Sequence, residues 1–162
     1  MKEFLEEPYI LYIGNDYPHK NLGRLKSAFK KIKAEEINCE LVLITEFVSE
    51  EELDNLYKNA LLFVFPSLCE GFGLPPLEAM KRGLAVISSN AACLPEILGN
   101  AVLYFNPLDI NDMADKIKKA LLNEDLRKDL IQKGFEQIKK YNWQKTAQET
   151  LEIYQCSLIL RS

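Results

Sequence analysis

The segment Glu70-Gly71-Phe72-Gly73-Leu74-Pro75-Pro76-Leu77-Glu78 combines residue types suited to holding a ligand that is both anionic and rich in hydroxyls. Its two glycines let the backbone approach a ligand closely and point successive amides at it. The two prolines suit the first turn of a helix. A helix N-terminus offers unpaired N–H groups and the positive end of a dipole to a phosphate. Glu78 follows Glu70 by eight residues, which sets it about one turn into that helix, near the same mouth. Carboxylates flanking an anion site do not bind the anion. They accept hydrogen bonds from sugar or ribose hydroxyls. The plain alternative is a strand-to-helix turn with two solvated glutamates.

The surrounding chain reads as alternating strands and helices. Tyr9–Ile13 (YILYI) is a short β-rich run ending in Gly14-Asn15-Asp16, a loop signature. A helix over 21–36 carries Leu22, Leu25, Phe29 and Ile32 at helical spacing. ELVLIT (40–45) is a second strand, and Ser49 with Glu52 forms a capping box that opens a helix bearing Leu53, Leu56 and Tyr57. LLFVF (61–65) is continuously apolar, as a strand covered on both faces must be. The glycine-rich loop and a helix from Pro75 or Pro76 to Gly83 follow, then strands over 84–88 and 101–105 separated by a turn at Pro95-Glu96-Ile97-Leu98. The last third is helical: one stripe through Met113, Ile117, Ala120 and Leu121 after an Asp109 cap, one through Leu126, Leu130, Ile131 and Ile138, and one through Trp143, Ala147, Leu151, Tyr154 and Leu158 that reads as core packing. Such alternation predicts an α/β doubly wound parallel sheet of about five strands. Its ligands bind beyond the carboxyl ends of the strands, where 14–20 and 67–76 would lie.

Composition narrows the function. The 162 residues suit one compact domain, and 48% hydrophobic with 27% charged residues is an ordinary globular balance. Twenty Lys and Arg against twenty-four Asp and Glu leave a net charge of -4 with no basic run, so no nucleic-acid partner is expected. The longest apolar runs are too short to span a bilayer, and the acidic start MKEFLEEPYI lacks a signal-peptide core. Cys39, Cys69, Cys93 and Cys156 form no C-x-x-C and stand far in sequence from the single histidine, His19, which argues against zinc and for plain thiols in a reducing compartment. Asp16 and Asp54 show no metal-type clustering, and Lys30, Lys31 and Lys33 read as the solvated face of a helix.

With Pro66-Ser67 before it and Ala79-Met80 after it, the stretch FPSLCEGFGLPPLEAM resembles the donor-site signature of the retaining GT-B-fold glycosyltransferases of the group-1, family-four type. The likeness covers nearly all of the chain. YILYIGNDYPHKNL is similar to the first strand and loop of that family's C-terminal domain, and SSNAACLPE to its fourth-strand loop. Asn106-Pro107-Leu108-Asp109 and Tyr141-Asn142-Trp143 resemble its later landmarks. The resemblance implies a Rossmann-like domain spanning 1–162, the C-terminal, donor-binding half of a GT-B enzyme. The whole enzyme would move a hexosyl group from a nucleoside diphosphate sugar to a glycan or lipid-linked acceptor, with retention. An N-terminal domain would supply the acceptor site, so this chain alone would be inactive and its last helix would be free to self-associate. The implied location is cytoplasmic, with membrane association only through the full enzyme.

Residue by residue, the family pattern puts Glu78 on the ribose and Glu70 on hydroxyls of the transferred sugar. The amides of Gly71, Phe72, Gly73 and Leu74 would hold sugar and diphosphate. Lys20 would neutralise the departing diphosphate as a compact ammonium, with no metal or other cofactor. Asn15 and Ser67 complete the implied donor contacts, Glu96 ranks with Ser67, and His19 reads as structural. On these roles alone, Glu70→Ala should leave bare-nucleotide affinity within about twofold. Two departures stand out. Asn15 replaces an arginine that many relatives carry, and ELVLITEFVSEEEL runs straight from strand to helix where relatives have one more β/α unit that helps hold the base. The rival readings are a non-catalytic nucleotide-sugar-binding or scaffold domain and a GT-B sugar-nucleotide epimerase, whose signature differs.

Overall fold

The computed structural model describes residues 7–159, with side chains through Cys156. The acidic start at 1–6 and the Leu158 side chain lie outside the described residues. Five strands, β1 (Tyr9–Ile13), β2 (Glu40–Ile44), β3 (Leu62–Phe65), β4 (Val86–Ser89) and β5 (Leu103–Phe105), form one parallel sheet in the order β2-β1-β3-β4-β5. Leu11 pairs with Val42 on one side and Phe63 on the other. The central strands are buried on both faces, which is why they read as unbroken apolar runs and not as alternating ones.

Among the described residues, seven α-helices accompany the sheet: α1 (Leu22–Lys33), α2 (Glu50–Asn59), α3 (Leu74–Lys81), α4 (Leu94–Leu98), α5 (Ile110–Leu122), α6 (Glu124–Ile138) and α7 (Trp143–Ile159). Right-handed crossovers send α1 to one face and α2, α3 and α4 to the other. The chain then returns, with α5 against α1 and α6 against α3. Ser49 caps α2 by accepting from the Glu52 amide at 3.2 Å, which is the forward half of the expected box. Asp109 caps α5 through the amides of Asn111 and Asp112.

Two expectations need correction. The turn at Pro95–Leu98 is the short helix α4, begun one residue earlier at Leu94. The Trp143 stripe is not core: Trp143 is 77% exposed, and Leu151 and Tyr154 are also exposed. Helical spacing of apolar residues marks a sticky face without specifying what covers it, and α7 packs extensively on no other described element. Among the described residues, no helix is long and apolar enough to cross a membrane.

The strand order reverses direction between β1 and β3. From β1 the chain moves outward to β2, and from β3 it moves outward the other way to β4. The two carboxyl ends therefore diverge, and the crevice between their loops is where such sheets bind ligands.

Candidate functional site

The β1 loop reaches the crevice by a tight course. Gly14 has φ 152, and a Cβ there would fall 2.7 Å from the Tyr12 hydroxyl, so only glycine fits. That hydroxyl donates to the Asn15 carbonyl at 2.7 Å and is held un-ionised, its pKa raised by burial first and then by the charges of Glu70 and Asp16. A 3-10 turn over Pro18–Lys20 then swings Lys20 toward the β3 loop. Asn21 ends this turn in the left-handed region at φ 61, a conformation asparagine tolerates. It is buried, and its Nδ2 donates to the carbonyls of Pro66 at 3.1 Å and Pro107 at 2.8 Å.

The β3 loop is fixed from both sides. The Leu68 amide donates to the His19 carbonyl at 2.7 Å, and the Ser89 hydroxyl on β4 donates to the Ser67 carbonyl at 2.6 Å. The Cys93 thiol donates to the Glu70 carbonyl at 3.2 Å, while burial pushes that thiol's pKa up. These tethers bring Lys20 and Glu70, fifty residues apart in sequence, into an ion pair with Nζ 2.7 Å from Oε1. Both side chains are only 13% exposed. Lys20 also lies 5.7 Å from the centre of the Phe65 ring.

Gly73 is the N-cap of α3 at φ 94, and being glycine it offers no capping side chain. Pro75 and Pro76 lack N–H groups, so the free donors at this helix mouth are few and concentrated. Among the described residues, the amides of Gly71, Phe72, Gly73 and Leu74 donate to no other group. The two loop glycines differ in kind. A Cβ on Gly73 would lie 2.8 Å from Leu94, so the fold itself requires glycine there, whereas a Cβ on Gly71 would meet nothing within 4 Å. Phe72 is half-exposed and packs edge-on against Tyr141, with ring centres 5.4 Å apart.

Glu78 stands exposed on α3, as the spacing predicts. Behind it lies Tyr57 of α2, which the sequence identified only as an apolar stripe residue. Its ring is 1% exposed, 5.8 Å from Phe63 and capped by the Arg82 guanidinium at 4.7 Å. Arg82 is held in turn by Asp54 at 2.7 Å. Burial raises the Tyr57 pKa, and the neighbouring Glu78 charge raises it further. The Tyr57 hydroxyl has no hydrogen-bond partner.

The other expected residues sit at the margin. Asn15 is exposed, and its Oδ1 accepts from the Tyr17 amide at 3.3 Å, a local turn. Ser67 is fully buried with its hydroxyl unpaired, His19 is exposed and contributes its carbonyl to the loop tether, and Glu96 is exposed on α4. Among the described residues, no three His, Cys, Asp or Glu side chains group as ligands for an ion. The chemistry present is thus one partly buried cation, two carboxylates and a row of unpaired amides. The sequence identified all of these, but not the supporting shell of Tyr12, Asn21, Tyr57 and Cys93. Of that shell, only the asparagine in the PHKN loop carried a turn signal.

Comparison with known proteins gives the family and the fold. Residues 42–137 match the model of the family described as "Glycosyl transferases group 1". The chain is 42% identical over 111 residues to the serotype-specific mannosyltransferase WbdA of Escherichia coli, a match covering 68% of this chain and 14% of that protein. It is 32% identical over 172 residues to the O-antigen chain mannosyltransferase B of Escherichia coli, covering 90% of this chain and 45% of that one. The chain therefore spans less than half the length of these curated relatives. Sucrose-phosphate synthase from Thermosynechococcus elongatus superposes with a TM-score of 0.84 at 24% identity, over 97% of this chain and 47% of that one, a likeness of fold.

Proposed function

The chain belongs to the glycosyl transferases group 1, and from that membership we propose that it is the donor-binding part of a retaining hexosyltransferase using a nucleoside diphosphate sugar. The acceptor is a glycan or lipid-linked glycan held by an N-terminal domain of the whole enzyme. The names of its mannosyltransferase relatives put mannosyl first among the hexosyl groups. The observation that carries this reading is the Lys20–Glu70 contact at the sheet's switch point, beside four unbonded amides and Glu78.

In this reading the diphosphate lies over the amides of Gly71–Leu74 at the positive end of α3. As the bond from the sugar's anomeric carbon to the phosphate oxygen breaks, negative charge grows on the diphosphate and positive charge on the sugar ring. Lys20 stabilises the first and Glu70 the second, both in a partly dehydrated setting where such interactions are strengthened. Glu78 accepts from the ribose hydroxyls and fixes the nucleotide end. The leaving group is stabilised by an ammonium and backbone dipoles, without a divalent ion.

The test is a thermal-shift screen with UDP, GDP, ADP and their sugars, with and without EDTA. A ligand at 100 times its dissociation constant adds roughly 2.7 kcal/mol, which for a chain of this size raises the melting point by roughly 5–10 °C. If none of the nucleotides shifts it, or if Lys20→Met and Glu78→Ala leave the shift unchanged, the reading is wrong. A non-catalytic nucleotide-sugar-binding role is the second reading, favoured by the direct run from β2 into α2. It predicts the same binding with no sugar transfer by the full-length protein.

A further inference from the structure

Tyr57 combines two features that do not belong together in an ordinary core residue. It is almost fully buried, yet its hydroxyl has no hydrogen-bond partner. An unpaired buried hydroxyl is costly, and phenylalanine would fill the same space without that cost. The ring is also immobilised. Phe63 lies against it, Arg82 covers its other surroundings at 4.7 Å, and Arg82 is anchored by Asp54 and by its contact with the Glu78 carbonyl at 3.5 Å. The hydroxyl therefore points in one direction. Glu78 stands one turn before Arg82 on the same face of α3, the face that Arg82 lays against the Tyr57 ring, and its charge acts on the Tyr57 proton. Glu78 itself is exposed and makes no ion pair among the described residues. A free glutamate has much rotamer freedom to lose when it engages a ligand.

We propose that Tyr57 is a positioning residue for the ribose contact: when a nucleotide binds, its buried hydroxyl donates to the Glu78 carboxylate and holds the rotamer that receives the ribose hydroxyls. A carboxylate has lone pairs enough to accept from the tyrosine and the ribose together. The inference rests on the assignment of Glu78 to ribose made above.

The experiment measures calorimetric affinity for GDP, UDP and ADP, each beside its 2′,3′-dideoxy counterpart. The proteins compared are the wild type, Tyr57→Phe, Glu78→Ala and the double variant. Tyr57→Phe keeps the ring, the Phe63 packing and the Arg82 contact. It is expected to weaken the bound ribonucleotide about five- to twentyfold, because the bond that holds Glu78 in the bound state is lost. Its dideoxy affinity should stay within about twofold, and it should add no loss in the Glu78→Ala background. The melting point of the unliganded protein should be unchanged or higher, because an unpaired hydroxyl is removed. A merely structural tyrosine would lower the melting point or weaken both nucleotides equally, and either result overturns the proposal. So does an unaltered ribonucleotide affinity. If Glu78→Ala discriminates ribose from dideoxyribose while Tyr57→Phe does not, only the tyrosine's role fails. If Glu78→Ala shows no discrimination, or if no nucleotide binds the wild type, the ribose assignment fails and takes the proposal with it.

Discussion

Glu70→Gln is the most informative single change, because the structure gives Glu70 a partner that the sequence assigned to a different part of the ligand. At 2.7 Å, with both side chains 13% exposed, the pair attracts by about 6 kcal/mol at an effective dielectric near 20. Desolvation offsets most of this, leaving the net of a charge-assisted hydrogen bond, about 1.5–3 kcal/mol. A diphosphate that recruits Lys20 competes with Glu70 for it. The ammonium has three N–H donors and can be shared, so the ligand forfeits roughly half of that net, or about fourfold to tenfold in affinity. Glutamine keeps the shape and an acceptor oxygen but removes the competing charge. Glu70→Gln should therefore tighten bare GDP or UDP about fourfold to tenfold, where the ligand roles alone left it silent. In the whole hexosyltransferase proposed above, the same variant should lower turnover, because the charge would matter most as the oxocarbenium forms. Calorimetry at low and high salt is the assay, with Lys20→Met as the control that loses affinity. Unchanged or weaker binding by Glu70→Gln, with Lys20→Met still impaired, would refute the competition.

Four further expectations follow from single contacts. Gly71→Ala should leave stability within about 0.5 kcal/mol yet weaken nucleoside diphosphate binding, whereas Gly73→Ala, at φ 94 with Leu94 in the way, should cost about 1–3 kcal/mol; urea melts and calorimetry separate the two. Asn21→Gly suits the φ of 61 and loses the side-chain bonds to two carbonyls and to the Arg24 guanidinium, so it should cost about 1–3 kcal/mol in urea unfolding. Nucleotide binding should survive EDTA; loss on chelation with recovery on adding magnesium would reassign the leaving-group role. Burial, aided by Tyr141, pushes the Tyr104 pKa up to about 12. The folded state thus holds this proton more tightly than the unfolded chain, and the associated stability is full below about pH 10 and lost as pH rises toward 12. The stability measured by urea unfolding should therefore fall across that window, and fall less in Tyr104→Phe.

The fold was legible because its signals are local. Unbroken apolar runs of four or five residues specify buried parallel strands, and Gly14, Gly73 and Gly83 punctuate them at places where φ is positive. Glu70, Glu78 and the amides between them were legible because one short segment carries them. Lys20 entered only through the resemblance, since nothing in its own neighbourhood says which loop it will meet. Tyr57 and Cys93 were not legible as site residues. Tyr57 occupies a helical apolar position and behaves as core on three sides; its fourth side depends on how α2 lies beside α3, which no local pattern encodes. The α7 stripe failed for the converse reason. Its periodicity is genuine, but the surface that would cover it is not among the described elements.

The direct run from β2 into α2, which the family resemblance implies is one β/α unit short, would cost the site less than its length suggests. Doubly wound sheets of six strands commonly run in the order 3-2-1-4-5-6. Removing strand 3 removes an edge and leaves 2-1-4-5-6, which renumbered is the observed β2-β1-β3-β4-β5. The switch point between β1 and β3 is untouched, so the loops bearing Lys20 and Glu70 still converge. The consequences fall at the far edge. Leu41, Val42 and Leu43 of β2 are only partly buried, and Phe47 in the connection to α2 is 97% exposed. The carboxyl end of β2 adjoins the β1 loop directly, with the Gly14 amide donating to the Ile44 carbonyl at 3.0 Å. Under the function proposed above, a nucleotide anchored by its diphosphate at the switch point and by its ribose at Glu78 would meet its thinnest protein wall beyond the ribose. Discrimination among bases should accordingly be weaker than discrimination between a diphosphate and a monophosphate. Competing UDP, GDP and ADP against UMP, GMP and AMP on one preparation tests this, and a base preference larger than the diphosphate preference would show that the edge still holds the base.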